Sequence, residues 1–258
     1  MQRFACLMYH YLSDCEHGDL SASQYTIPLR GFREQLALLK AEGVVAEDFV
    51  GIQQRIDRAG ALPERYAVLS FDDGDRSNLA AAEALAAFGY RATFFIVTGP
   101  WERGGARALG KAGVRQLVQA GHSVGSHSVT HRPLTALALS ELTEELSSSR
   151  KWLEDVTGKA VDFLSAPQGY LSKRVLREAS RQGYRLVGNS AEWPNKWPLR
   201  EASVEISRLS IRARLDAAAV ARIVAGDTLS CVRGRCRRCV LAIPKAIFRS
   251  ELIEFLGR

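Results

Sequence analysis

Short apolar runs alternate with amphipathic segments along most of the chain. The runs Phe4–Tyr9, Ala67–Phe71 and Ala92–Val97 have the length and composition of buried strands. Between them, Pro28–Ala41 carries apolar residues at helical spacing and is followed by Gly43, which predicts a helix and its end. Strand and helix alternate in this way throughout, which favours a parallel sheet with helices outside it.

The same pattern predicts further elements. The predicted helices are 78–88, 111–120, a long helix with Ser140 as its N-cap that ends before Gly158, and 172–182. The predicted strands are 122–126, 161–164, 185–188 and 204–209. After about residue 212 the pattern is helical and basic.

Polar motifs follow two of these strands directly. Asp72, Asp73 and Gly74 follow the strand that ends at Phe71; alone, such a triplet is most often a turn. The imidazoles of His127 and His131 stand four positions apart after another strand; alone, such a pair also suits a helix face. Together, two imidazoles and one carboxylate are a common ligand set for a catalytic divalent ion with its fourth position left to water. The spare carboxylate is a natural general base, so the motifs outline a hydrolase site.

These motifs also resemble those of a known family. Phe71-Asp72-Asp73-Gly74 followed by His127-Ser128-x-x-His131 resembles the polysaccharide deacetylase family (the NodB-homology domain, carbohydrate esterase family 4). The segment 164–169, Leu-Ser-Ala-Pro-Gln-Gly, looks like a degenerate form of that family's Arg-x-Pro-Tyr-Gly segment. The resemblance implies an α/β fold, a distorted and incomplete (β/α)7 barrel, over residues 1–212. Residues 213–258 would then be a basic helical C-terminal segment packed on the same domain.

The resemblance also implies roles at the site. Asp73, His127 and His131 would bind the metal, and Asp72 would be the general base. The metal would be a divalent ion, with zinc expected first and nickel, cobalt or manganese as alternatives. Residues at the substrate would be Pro167, Gln168 and Gly169, with the backbone N–H of Gln168 as oxyanion donor. Trp193 follows a predicted strand end, where its ring would either stack on a sugar or pack in the core.

Two departures from the family pattern concern catalysis. Ser165 stands where the family has an arginine that steadies the base, and the family's late Leu-x-x-His general acid has no counterpart, since His131 is the last histidine. We expect His10 to replace it, because Met8-Tyr9-His10 resembles the opening of the poly-N-acetylglucosamine deacetylase subgroup, and a closed barrel would bring His10 to the metal's rim. A histidine that only caps the strand is the alternative, and His17 is a second candidate. We read His122 as a packing residue.

Composition and charge indicate which partners and which cellular location to expect. The 258 residues suit one large α/β domain, and their net charge of +7 suggests anionic partners, although a solvated basic face would give the same charge. No aromatic-interleaved basic motif accompanies the charge, so we expect no nucleic acid partner. We expect a cytoplasmic protein, because the sequence shows neither a signal peptide nor a transmembrane run, and the basic C-terminal segment leaves peripheral contact with an anionic membrane open. Cys231, Cys236 and Cys239 lack a nearby fourth ligand, so we expect reduced thiols.

The sequence therefore predicts a metal-dependent hydrolase that removes N-acetyl groups from N-acetylhexosamine units of a polysaccharide or glycolipid. A hydrolase of another non-peptide C–N amide bond, such as a deformylase, is the first alternative. A catalytically impaired, glycan-binding barrel is the second. The sugar, its linkage and the oligomeric state stay open.

Overall fold

The fold is a parallel sheet rolled into a barrel and wrapped by helices. A computed structural model describes residues 2–14, 23–99, 108–199 and 205–227. The strands are β1 (Gln2–Tyr9), β2 (Tyr11–Ser13), β3 (Thr26–Pro28), β4 (Val45–Glu47), β5 (Tyr66–Phe71), β6 (Thr93–Ile96), β7 (Ser123–Ser126), β8 (Phe163–Ser165), β9 (Leu186–Gly188), β10 (Asn195–Trp197), β11 (Glu205–Ile206) and β12 (Leu209–Ser210). The helices are α1 (Leu29–Ala41), α2 (Phe49–Asp57), α3 (Asn78–Ala87), α4 (Gly110–Gln119), α5 (Leu139–Thr157), α6 (Lys173–Arg181) and α7 (Ala217–Val224).

One short segment closes the barrel. Strands β1, β5, β6, β7, β8 and β9 lie side by side in parallel, in that order. At the open edges, β11 pairs in parallel with β9, and β12 pairs in parallel with β1. The segment 205–210 therefore joins the two edges of the sheet in the described part of the chain. Because this closing segment is interrupted between β11 and β12, and because β10 lies antiparallel on the start of β1, the barrel is distorted. The predicted (β/α)7 fold class is confirmed.

Alternating side chains fill both faces of the sheet. In β1, Leu7 and Tyr9 pack outward with the helices, in a cluster that includes Leu36 of α1. The alternate residues Phe4 and Cys6 belong to a smaller cluster inside the barrel. This two-residue alternation is what a strand imposes when both of its faces are buried. The barrel interior is therefore a packed core that supports the rim above it.

Most long elements agree with the sequence prediction, whereas short ones were missed. The predicted N-cap Ser140 is wrong: α5 begins at Leu139 after the N-cap Ala138, whose N–H donates to the Glu141 carboxylate at 2.9 Å. The predicted strand 204–209 is divided into β11 and β12. Helix α2 and the three-residue strands β2, β3, β4 and β10 were not predicted.

The described part of the C-terminal segment packs on the barrel. Helix α7 lies against α1, and Gln35 of α1 donates from Nε2 to the carbonyl of Leu215 at 3.0 Å. Within the described residues, no helix has the length and apolar character needed to cross a membrane. His17, the cluster of Cys231, Cys236 and Cys239, and everything after residue 227 lie outside the described residues. The domain division at residue 212 stays a prediction.

Helix α1 should contribute strongly to the stability of the barrel. Leu36 is fully buried, so Leu36→Ala should lower the free energy of unfolding by about 2–5 kcal/mol, from lost burial and the cavity left behind. Val50 is 38% exposed, and Val50→Ala should change it by no more than about 0.5 kcal/mol. Urea denaturation of the two variants checks this, and equal losses would contradict the assigned core.

Candidate active site

The predicted site residues meet at the carboxyl ends of the parallel strands. Asp72 and Asp73 follow β5, His127 follows β7, and His10 follows β1. The N–H of Asp72 donates to the carbonyl of Tyr9 at 2.9 Å, which ties the ends of β5 and β1 together. In parallel barrels this rim carries the chemistry, because side chains from different strands converge there.

Three of these side chains form a candidate metal centre. Asp73, His127 and His131 each offer one ligand atom, and the three atoms lie within 4.8 Å of one another. Oδ1 of Asp73 is 3.5 Å from Nε2 of His127 and 3.5 Å from Nε2 of His131. Two ligands held at tetrahedral zinc lie about 3.3 Å apart, given metal–ligand distances of about 2.0–2.1 Å. The donor set and its spacing therefore fit a small divalent ion.

The hydrogen bonding of His127 suits a metal ligand. Its Nδ1–H donates to the carbonyl of Ser165 at 2.8 Å, which leaves the lone pair of Nε2 directed towards Asp73. Burial alone would lower the pKa of His127, but the nearby carboxylates of Asp72 and Asp73 outweigh it and raise the pKa. This pocket therefore attracts positive charge, as a cation site should.

A buried glutamate on α5 holds the loop that carries the histidines. Oε2 of Glu145 accepts hydrogen bonds from the N–H groups of Val129 and Thr130, at 2.8 and 2.9 Å. Within the loop, the N–H of His131 donates to Oγ of Ser128 at 3.1 Å. Glu145 is not among the residues predicted from the sequence, although an acidic residue on the apolar face of α5 is a visible signal.

Asp73 has a partner of its own on β2. The hydroxyl of Tyr11 donates to Oδ2 of Asp73, while Oδ1 faces the histidines. Burial alone would raise the pKa of Asp73, but the hydrogen bond and charge of His127 outweigh it and hold the pKa far below its usual range. Asp73 is thus an ionised carboxylate with one oxygen positioned by protein and the other available to a metal.

Asp72, the neighbouring acid, has entirely different partners. Nη1 of Arg208 donates to Oδ1 of Asp72 at 2.7 Å, and Nη2 donates to Oδ2 at 2.9 Å. Oγ of Ser165 also donates to Oδ2, at 3.0 Å. Burial alone would raise the pKa of Asp72, but the Arg208 guanidinium outweighs it and holds the pKa below its usual range. Arg208 is fully buried, and no motif in the sequence points to it.

His10 lies close to these charges. Its ring stacks on Tyr25 with centroids 4.6 Å apart, and its carbonyl accepts from Nδ2 of Asn78 at 2.9 Å. Its Nδ1 is buried without a hydrogen-bond partner among the described residues. Burial lowers the pKa of His10, while Asp72 and Asp73 are near enough to act against this. The structure places His10 at the rim; its role as general acid stays a prediction.

The segment 164–169 and Trp193 lie on neighbouring loops of the rim. Pro167 is buried, whereas Gln168 is exposed and has a left-handed φ of 59°. Gly169 also has a positive φ, and a Cβ there would collide with the side chain of Ser190, so the two loops touch. Trp193 is 37% exposed, which leaves part of its ring open to a ligand.

Strained backbone concentrates at the same rim. Among the described non-glycine residues, positive φ angles occur at Asp73, Ser128, His131, Gln168 and Glu192, and away from the rim only at Ala59. Such conformations cost of order 1–3 kcal/mol each and persist where the surroundings hold them, as at functional sites.

A cavity of about 550 Å³ opens at the opposite end of the barrel. Its lining includes Asp48, Arg91, Lys159 and His122. Nδ1 of His122 accepts from the N–H of Ala92 at 3.3 Å, so His122 is a buried, hydrogen-bonded packing residue as predicted. The cavity contains none of the candidate metal ligands.

Comparison with known families agrees with the geometry. The sequence model of the polysaccharide deacetylase family matches residues 59–187, half of the chain. The chain belongs to the polysaccharide deacetylase family. The predicted resemblance is therefore confirmed. The matched region contains Asp72, Asp73, His127 and His131.

Individual relatives are distant. The chain is 23% identical over 181 residues to the putative polysaccharide deacetylase YxkH of Bacillus subtilis, covering 70% of this chain and 62% of that protein. It is 29% identical over 131 residues to the peptidoglycan-N-acetylmuramic acid deacetylase PdaA of the same species, covering 50% of this chain and 48% of that protein. The chain thus spans less than two thirds of the length of either relative.

A solved structure shares the fold. The deacetylase PplD of Streptococcus pyogenes, in complex with acetate, superposes with a TM-score of 0.75 at 22% identity. The match covers 84% of this chain and 96% of that one. At this identity the likeness shows the barrel alone.

Zinc binding should separate the two adjacent acids. Asp73→Ala and His127→Ala each remove a ligand, so zinc affinity should fall by more than the roughly 10–100-fold that loss of an outer-shell partner costs. Asp72→Asn keeps the shape of the side chain and removes no ligand, so zinc affinity should fall by less, from the loss of one nearby negative charge alone. Titration against a chromophoric chelator measures all three, and equal losses in Asp72→Asn and Asp73→Ala would contradict this division.

Proposed function

We propose that this protein is a divalent-metal-dependent N-deacetylase that releases acetate from N-acetylhexosamine units of a glycan. The observation that carries the proposal is the pair of adjacent acids with separate partners. Asp73 faces the imidazoles of His127 and His131, whereas Asp72 is held by Arg208. Amide hydrolysis by activated water requires a set of metal ligands and, beside it, an ionised carboxylate that does not bind the metal.

Asp72 is the general base in this proposal. The divalent ion, when bound by Asp73, His127 and His131, would act as a Lewis acid on the acetyl carbonyl and lower the pKa of the attacking water. Oδ2 of Asp72 lies 3.7 Å from Nε2 of His127, so the carboxylate borders the centre. Asp72 is ionised at neutral pH, as an aspartate with an ordinary or a lowered pKa is, and the ionised carboxylate is the form that accepts a proton.

His10 is the proposed general acid. An amide nitrogen must be protonated before it leaves, and the chain has no histidine after His131 to do this. His10 approaches from β1, beside Asp72 on the neighbouring strand. Burial lowers the pKa of His10, so its protonated form is the stronger acid towards the leaving nitrogen, and the nearby carboxylates of Asp72 and Asp73 favour that form.

In this proposal, segment 164–169 and Trp193 form the substrate side of the site. The exposed turn at Gln168 is the proposed source of a backbone N–H for the developing oxyanion, with Pro167 and Gly169 fixing its position. The partly exposed ring of Trp193 is a surface on which a pyranose could stack. The names of the relatives, which include a peptidoglycan deacetylase, support an N-acetylated glycan as the substrate class.

Two further expectations belong to this proposal. A cytoplasmic location and contact of the basic segment 213–258 with an anionic membrane stay predictions, since most of that segment lies outside the described residues. The identity of the metal is also proposed: zinc fits the two imidazoles and one carboxylate, as would cobalt or nickel.

Acetate release from N-acetylglucosamine oligomers tests the proposal. Zinc-loaded protein should release acetate, and a chelator should abolish the release until zinc is restored. Asp72→Asn and His10→Ala should each lower kcat by about 10²–10⁴-fold, the usual contribution of general acid–base catalysis. Their zinc content should equal that of the wild type.

The same assay separates the alternatives. Formate or another acid released from a panel of small amides, without acetate from the oligomers, would indicate a different C–N hydrolase. Bound zinc with no hydrolysis of any amide would indicate a glycan-binding barrel. Undiminished turnover in Asp72→Asn would overturn the assignment of the base.

A further inference from the structure

Both adjacent carboxylates lie within reach of the same imidazole. Nε2 of His127 is 3.5 Å from Oδ1 of Asp73 and 3.7 Å from Oδ2 of Asp72. A divalent ion at this point attracts both anions, and carboxylates are ligands that zinc accepts. Some feature of the chain must therefore keep Asp72 from becoming a further ligand, since a carboxylate bound to the metal cannot serve as the general base.

Arg208 has the geometry to do this. Its Nη1 and Nη2 span the two oxygens of Asp72 at 2.7 and 2.9 Å. Its remaining donors reach Oγ of Ser165 at 2.6 Å, the carbonyl of Asn189 at 3.1 Å and, more distantly, Oγ of Ser70 at 3.5 Å. All five N–H donors of the guanidinium thus have acceptors. The guanidinium of Arg208 is therefore a buried cation whose hydrogen bonds hold it in one orientation.

The surroundings of Arg208 also fix its position. The guanidinium lies over the ring of Phe95, 5.3 Å from its centroid. A Cβ at Gly188 would lie 2.6 Å from Nε and 3.0 Å from Cδ of Arg208, so only glycine leaves room for the side chain at this end of β9. Apart from this contact with Arg208, nothing at the position of Gly188 in β9 requires a glycine.

Most of the hydrogen-bond acceptor sites of Asp72 are occupied. An ionised carboxylate has about four acceptor sites, and three of those on Asp72 are filled by Nη1 and Nη2 of Arg208 and by Oγ of Ser165. About one remains to accept a proton, and both oxygens face the positive charge of Arg208, which disfavours their binding to a cation. Asp73, by contrast, keeps Oδ1 directed at the histidines.

We propose that Arg208, with Ser165, withholds Asp72 from the metal and thereby assigns the two adjacent carboxylates their separate roles. This rests on the proposed function, in which Asp72 is the base. Arg208 is a positioning residue, because it acts on the reaction through Asp72. Ser165 takes part because its small side chain leaves room for an arginine that comes from the segment closing the barrel. Which of the two carboxylates binds the ion can be measured without turnover.

Cobalt(II) in place of zinc provides the measurement. In Arg208→Met the carboxylate of Asp72 loses its cationic partner and should bind the ion, which raises the coordination number. The visible d–d absorption of the cobalt protein should therefore weaken relative to wild type, while cobalt affinity stays at least as tight. Acetate release should fall by about 10²–10⁴-fold, as for loss of the base.

A second substitution in the same protein isolates the cause. In Arg208→Met/Asp72→Asn the neutral amide is a poor metal ligand, so the cobalt spectrum should return to that of the wild type, while activity stays low. Gly188→Ala keeps the arginine but displaces it and should shift the spectrum in the same direction. If Arg208→Met does not fold, Gly188→Ala and Arg208→Lys carry the comparison, since a lysine cannot span both oxygens.

Arg55 offers a matched control. It forms a similar fork on Glu47, with Nε–Oε2 and Nη2–Oε1 distances of 2.8 and 2.6 Å, at the opposite end of the barrel. Arg55→Met should leave the cobalt spectrum and acetate release at wild-type values. A change equal to that of Arg208→Met would show that loss of any such arginine disturbs the centre, and would overturn the proposal.

The remaining outcomes separate the role of Arg208 from the proposed function. A folded Arg208→Met protein with the wild-type cobalt spectrum, or with no bound cobalt, would overturn the proposed role of Arg208 even if the wild type releases acetate. Wild-type protein that binds cobalt and releases no acetate would overturn the proposed function, while the spectra would still decide the role of Arg208. Wild-type protein that binds no cobalt would overturn both.

Discussion

The left-handed backbone at Asp73 is the constraint on which the site depends. A φ of 76° at this residue turns the chain sharply where β5 ends, so that two adjacent carboxylates face different surroundings. Aspartate tolerates this conformation better than most residues, although it still costs free energy. The hydrogen bond from Tyr11 and the two nearby imidazoles favour the turned carboxylate, and Arg208 holds the other.

The closure of the barrel supplies Arg208. The segment 205–210 joins β9 to β1, and Arg208 falls at the interruption between β11 and β12, where its side chain enters the interior. An arginine buried at 0% exposure would be strongly unfavourable without its carboxylate, and breaking such a pair typically costs about 3–5 kcal/mol. The closure of the barrel and the site at its rim are therefore linked, because segment 205–210 joins the sheet edges and also supplies Arg208, which holds the proposed base Asp72.

The site residues that the sequence predicts all lie in local motifs. Asp72, Asp73, His127 and His131 stand in short patterns directly after apolar strands, so their convergence followed from strand order alone. Nothing local connects Arg208 with Asp72, which lies 136 positions away in the chain. The two residues meet only because the barrel closes.

Other features were missed for different reasons. Strands of three residues such as β4 are too short to show a period, and β4 was found only through its pairing with β5. Glu145 did carry a signal, since it lies one position before the buried Leu146 on the apolar face of α5. The N-cap of α5 was misplaced because Ser140 has the favoured residue type, whereas the structure uses the reach of Glu141 back to the N–H of Ala138.

The proposed mechanism requires an ion held by Asp73 and by the imidazoles of His127 and His131. X-ray absorption spectroscopy of the zinc-loaded protein measures this ligand set. We expect nitrogen and oxygen neighbours at about 2.0–2.1 Å with the outer scattering of two imidazole rings. Sulfur neighbours at about 2.3 Å, or a shell without imidazole, would contradict it.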